Sequence, residues 1–312
     1  MSALSVIGKR VDGYWTAPAP ATRLAMVRIL VGSYALIYLL IRVGHLLSYA
    51  HFNKAGFRPV GIVHLFLDRP LTPLAVQILT IATVLCALPF VLGWRFRIFG
   101  PLFALLLLWT LSYRHSWGMV WHTENLLVVQ ALILGMVPAA ADAWSLDARR
   151  VGPPAEQEHS RYGWALRLMC VVIVIAYVLA GYAKLRNGGT AWLWGDELRN
   201  HIAIDNTRKL LLGDWYSPLA GPLLQYGWLF KSMAFFTVIF ELGAPIALLH
   251  RRLAAFWVLV IWSFHAGVVA LMMIAFPYQL SGVAYACFFR SERLGEWVRG
   301  KVRKRWPGRS TA

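Results

Sequence analysis

Four ionisable residues stand where an apolar chain has no ordinary use for them: Lys184, His122, Glu241 and His265. Lys184 closes a long apolar stretch in AYVLAGYAKLRNGG, residues 176–189. A charge at such depth is costly unless it is paired, neutralised or close to water, so it marks a candidate site. Two readings compete. The lysine snorkels to the interface as an anchor, or it is desolvated, which favours the neutral amine and suits a general base. Tyr177, Ala180 and Lys184 share one helix face by their spacing. Gly181, before the lysine, permits close approach of a second helix.

His122 lies in SWGMVWHTENLL. It is either an imidazole that orients a substrate or bonds the lysine, or an ordinary interfacial residue, with Thr123 or Asn125 capping the helix that follows. Glu241 (TVIFELGAP) and His265 (IWSFHAGVV) each fall near the middle of an apolar run, in consecutive helices. A carboxylate there is expected to face the bundle interior and find a partner. A structural Glu–His or Glu–Lys pair is one reading, and a proton path or cofactor pocket the other. Tyr177 and Asn125 join the pocket or proton-path candidates, while Lys231 reads as an anchor. No Walker loop, Rossmann glycine pattern, HExxH or GxSxG is found. The three cysteines, Cys86, Cys170 and Cys287, sit inside apolar runs without CxxC spacing and read as core residues, with no metal site.

These residues need elements to position them. Of the 312 residues, 59% are hydrophobic and only 14% charged, with a mean hydropathy of +0.57. A soluble domain carries about 25% charged residues. Apolar runs of roughly twenty residues suffice to cross a bilayer core of ~30 Å. The fold class is therefore all-α: a polytopic transmembrane helical bundle. The runs fall at about 25–41, 74–92, 98–111, 126–140, 164–183, 233–249, 254–276 and 278–289, which predicts about eight membrane segments. The last is short and either tilted or re-entrant. Between the fifth and sixth, TAWLWGDELRNHI reads as an interfacial amphipathic helix, with Trp192 and Trp194 at headgroup level. The expected organisation is one membrane domain over residues 1–290, opening with a polar segment (1–21), and a basic tail over 291–312.

The net charge of +17 first suggests nucleic acid. The basic residues instead collect between and after the apolar runs, as in cytoplasmic loops. No recognition motif accompanies them, so nucleic acid is not an expected partner and membrane lipids are. No cleavable signal peptide is read before Arg23. Eight crossings would put both termini on the more basic side, hence in the cytoplasm. His122 and Lys184 would then share the outer side at similar depth. A proton-coupled carrier built on Glu241 and His265 is disfavoured, because no repeated halves are seen.

The order of these segments resembles the vitamin K-dependent γ-carboxylase superfamily, whose bacterial members are the HTTM (horizontally transferred transmembrane) proteins. MVRILVG, LGWRFRI, WHTENLLVVQALIL with AWSLDARR, AYVLAGYAKL and SFHAGVVALMMIAFPY match in sequence order over roughly 24–290. The resemblance implies that Lys184 is the base that deprotonates a quinol, that His122 supports it, and that His265 matches the family's FH histidine. It also implies a menaquinone- or vitamin K-type quinol as cofactor, in an outward-facing pocket. Two departures stand out. Ala183 replaces a lysine of the carboxylases, and the chain runs only about twenty residues past its last apolar run, without their long lumenal domain. Protein γ-carboxylation is accordingly not expected. The competing expectation is a non-enzymatic lipid-binding or transport-accessory membrane protein.

Overall fold

The computed structural model describes residues 3–118, 122–152, 154 and 158–305. The helices, in order, are α1 Ala3–Thr16, α2 Ala21–Ser48, α3 Pro73–Leu92, α4 Phe96–His115, α5 Asn125–Gly135, α6 Leu146–Val151 and α7 Ser160–Gly188. They continue with α8 Ala191–Trp194, α9 Glu197–Leu211, α10 Ala220–Leu223, α11 Gly227–Leu242, α12 Arg251–Met272, α13 Pro277–Leu280 and α14 Glu292–Arg305. The only strands among the described residues are a two-residue antiparallel bridge, Ala19–Pro20 with Glu158–His159. The all-α expectation stands.

Among the described residues, five helical stretches are long and apolar enough to span a membrane: Ala21–His51, Pro73–Leu92, Phe96–His115, Ser160–Gly188 and Arg251–Met272. Their outward residues are apolar too. Along α3, Ile78, Ile81, Leu85 and Leu88 recur at helical spacing and are all exposed. Such a stripe is stable only against lipid or another apolar surface, and the chain is an integral membrane protein.

The eight expected segments are thus not all full-length helices. The fourth run yields the 11-residue α5, about 16 Å long. It stops at Gly135 and gives way to a 3-10 turn opening at Pro138. The sixth yields the 16-residue α11, about 24 Å long, which ends before Gly243 and Pro245. The eighth is broken into α13 and the 3-10 turn Val283–Phe288. In the fourth and sixth runs a proline past the helix end lacks the N–H that would continue the ladder, and in the eighth the break falls at Gly282, which holds φ +75°. At the other extreme, the N-terminal polar segment holds the helix α1, and the Trp-rich loop folds as two helices, α8 and α9, parted at Gly195–Asp196.

The chain divides into two units, residues 1–169 with 289–312, and residues 170–288. In the first, α2 packs on α3 and α3 on α4 around Leu24, Val27, Val31, Phe90, Phe103 and Leu107, all fully buried. The segment Trp144–Asp147 ties this unit together. The Ser145 hydroxyl accepts from Ala148 N at 2.8 Å and caps α6, while both Asp147 oxygens accept from the first amides of α4, Arg95 N at 2.8 Å and Phe96 N at 2.7 Å. Arg28, wholly buried, donates to the Trp144 carbonyl at 2.7 Å. It lies so close to Gly93 that a Cβ there would meet its guanidinium at 1.8 Å, and Gly93 also holds φ +61°, so this turn takes only glycine. At the far end of the unit, α14 is held by a two-point ion pair, Arg23 to Glu292 at 2.9 and 2.8 Å.

In the second unit, the last carbonyls of α12 are captured by α9 and the turn after it. Asn206 Nδ2 donates to Leu271 O at 2.9 Å, Ser217 Oγ to Ala270 O at 2.5 Å, and Lys209 Nζ to Met272 O. Asn206 Oδ1 in turn accepts from Ser217 N at 2.7 Å. Carbonyls at a helix C-terminus otherwise lack partners, and a lysine there also meets the negative end of the helix dipole. Beneath these contacts, Ile202, Ala220, Phe230 and Leu271 form a small apolar core. Together they fix α9 against the end of α12.

Candidate functional site

Lys184 is neither a free anchor nor an isolated base. Its Nζ donates to both carboxylate oxygens of Glu241, at 2.7 and 2.6 Å. The Glu241 side chain is 3% exposed and that of Lys184 20%. Of the two partners open to Glu241 from sequence, it takes the lysine rather than His265. Glu241 is also not at mid-helix: it stands in the last turn of α11, because Gly243 and Pro245 end that helix. Gly181 makes the pair possible. A Cβ at that position would approach the Cβ of Glu241 to 3.0 Å, so a larger residue would push α11 away from the lysine's helix.

Tyr177 shares the face of α7 with Lys184 yet serves a different cluster. Its hydroxyl is 2.7 Å from His265 Nε2 and 2.7 Å from the Tyr285 hydroxyl. All three side chains are buried, and Trp257 packs edge-on against both tyrosines. This is a buried polar cluster of the second unit.

Lys184 opens onto a cavity of about 720 Å³. That volume lies within the ~300–1,000 Å³ of small-molecule sites. Its walls are apolar and aromatic, with Trp192, Phe236, Phe240 and Phe264 among them. Its polar lining includes Lys184 together with His201, Asp205 and Arg208, which lie along one face of α9. The Lys184 ammonium is 5.9 Å from the centre of the Trp192 ring, and the His201 ring is 5.6 Å from the same indole. Asp205 is paired with Arg208 at 3.0 Å and Lys209 at 2.8 Å. Burial works against its charge most strongly, but the two cations outweigh burial and hold its carboxyl below the usual carboxylate range.

The remaining candidates, His122 and Asn125, belong to the first unit. The His122 side chain lies outside the described residues; its backbone begins the 3-10 turn that leads into α5. Asn125 is exposed at the start of α5, and neither it nor Thr123 caps that helix, whose N-cap is Glu124 without a side-chain bond. The polar group that matters in this segment is Glu124. It is buried and accepts from Thr123 at 2.6 Å, Arg114 at 2.7 Å and Tyr38 at 2.9 Å. Burial again opposes its ionisation most, and these donors together carry its carboxyl below the ordinary value.

Sequence reading missed His201 and Glu124. Both were visible as residues, but neither lies inside an apolar run, so hydropathy gave no reason to single them out. The family model of the HTTM domain matches residues 16–292. The chain belongs to the HTTM domain family. No curated protein and no solved structure matches it. Within this HTTM domain fall the Lys184–Glu241 pair, the cavity and the Glu124 network, and membership is consistent with the carboxylase-like superfamily.

Proposed function

We propose that this HTTM-family membrane protein binds a quinol, or a comparable lipid with a polar ring, in the Lys184 cavity, and that Lys184 takes up a proton from the bound headgroup. One observation carries the reading: Lys184 belongs at once to a buried ion pair and to the lining of an aromatic cavity. An ammonium has three protons, and Glu241 holds two. Transfer of one of these to Glu241 leaves a neutral amine, which then accepts the headgroup proton. His201 supplies a second polar contact beside Trp192. In this reading the protein lies in a bacterial inner membrane with both termini cytoplasmic and the cavity facing outward.

The test is mass spectrometry of the lipids and quinones that co-purify with the wild type, Lys184→Ala and Glu241→Gln, followed by turnover with added menaquinol. We expect a quinone in the wild type, and turnover lost in both variants. A second reading is favoured by the closed geometry of the pair, in which each group satisfies the other: a brace in a lipid-binding or transport-accessory protein without turnover. Menaquinone that binds the wild type and Lys184→Ala equally, with redox turnover in neither, decides for the brace.

A further inference from the structure

Away from that cavity, the first unit carries a cleft of about 580 Å³ with four arginines among its lining residues: Arg95, Arg97, Arg150 and Arg161. Two carboxylates share the cleft, and both are already engaged. Asp147 binds the backbone amides of Arg95 and Phe96. Asp142 accepts from the Tyr162 hydroxyl at 3.0 Å and pairs with Arg161 at 3.1 Å. Arg95, Arg97 and Arg150 make no ion pair among the described residues, so the cleft is left with surplus positive charge.

The cations are presented by a fixed frame. Arg95 holds the left-handed backbone (φ +42°), a conformation a non-glycine residue keeps only when its surroundings impose it. Asp147 imposes it here by binding the amides of residues 95 and 96, and the Arg95 guanidinium lies 5.3 Å from the Trp94 ring centre. The cleft also has an apolar side. Ile98 lines it, is 59% exposed, and begins a stripe on α4 that continues through Leu102 and Leu105, 40% and 48% exposed. These positions lie on one face of a membrane-spanning helix. A basic cleft that runs into a lipid-facing apolar track matches an anion bearing a hydrocarbon chain, not a bare ion.

We propose that this cleft is a headgroup site for an anionic phospholipid, its phosphate held by Arg95, Arg97 and Arg150 and one acyl chain lying along Ile98, Leu102 and Leu105. Basic pockets beside transmembrane helices suit acidic lipid heads. Arginine is the residue for the task, because its planar fork binds phosphate oxygens in pairs. The site is independent of the quinol reading and survives its failure.

The test is native mass spectrometry of the full chain in nanodiscs that contain phosphatidylglycerol and phosphatidylcholine. Wild type is expected to retain phosphatidylglycerol over phosphatidylcholine by on the order of tenfold or more, with the preference falling as salt rises. Arg95→Gln/Arg97→Gln/Arg150→Gln is expected to lose the preference, whereas Arg149→Gln, outside the cleft, keeps it. Single Arg97→Gln and Arg150→Gln changes, at guanidiniums that bond nothing among the described residues, carry the same test with a smaller loss if the triple variant does not fold. Inorganic phosphate distinguishes the two sources of the anion: lipid that resists millimolar phosphate supports the proposal. Displacement by phosphate, equal retention of the two lipids, or a triple variant with wild-type preference overturns it.

Discussion

At the scale of the residue, the chemistry of this chain is decided by pairing. Lys184 and Glu241 each carry a charge that the surrounding apolar matter would reject alone. Removing one partner leaves the other uncompensated. Lys184→Met is expected to lower stability by on the order of 3 kcal/mol, the low end for a buried pair, because the lysine keeps a fifth of its surface exposed. Lys184→Met/Glu241→Leu is expected to recover most of that loss. Denaturant unfolding in detergent, followed by circular dichroism, measures both; additive losses in the double variant would show that the two side chains do not act as a pair. Glu124 gives a pH signature. Its folded carboxyl titrates below its ordinary value. The stability it contributes is therefore present above the unfolded carboxylate range, about pH 4.3, and is lost as pH falls through the lower folded value. Thermal melts between pH 3 and 7 are expected to show a shallower acid-side decline in Glu124→Gln than in the wild type.

Single elements are held by side chains that satisfy helix ends. α9 is fixed to α12 by Asn206, Lys209 and Ser217, and α4 is capped from a distance by Asp147. Asn206→Ala removes three hydrogen bonds in one step, its donations to Leu271 O and Ile202 O and its acceptance from Ser217 N. Amide hydrogen exchange over residues 197–217 is expected to rise in that variant, with a stability loss of about 1–3 kcal/mol. Unchanged exchange there would mean that α9 is held by its apolar contacts alone. This anchoring was not legible in the sequence. Nothing local to Asn206 or Ser217 announces that their partners lie more than fifty residues away, at Leu271 and Ala270. The AWSLD segment was legible as a motif but not as a fastening, because its partners Arg28, Gly93 and Arg95 come from other helices.

For the whole molecule, the number and direction of the membrane segments decide which side each site faces. Among the described residues five stretches reach spanning length, while α5 and α11 are short for a ~30 Å core. If both short helices and the broken 278–289 segment still cross, reporters fused to either terminus are expected to fall on the cytoplasmic side. Opposite-side reporters would show an odd number of crossings and would reverse one of the two faces. By itself, the sequence determined the helical class, the membrane environment and the family, because hydropathy and ordered local motifs are properties of contiguous residues. It also identified Lys184, Glu241, Tyr177 and His265 as polar groups in costly places. Only the tertiary structure decided who pairs with whom, Glu241 with Lys184 and Tyr177 with His265, and that His201 lines the same cavity as the lysine. The reason is physical. Burial cost is fixed by the local run of residues, but its relief depends on which distant helix brings a partner within hydrogen-bonding reach.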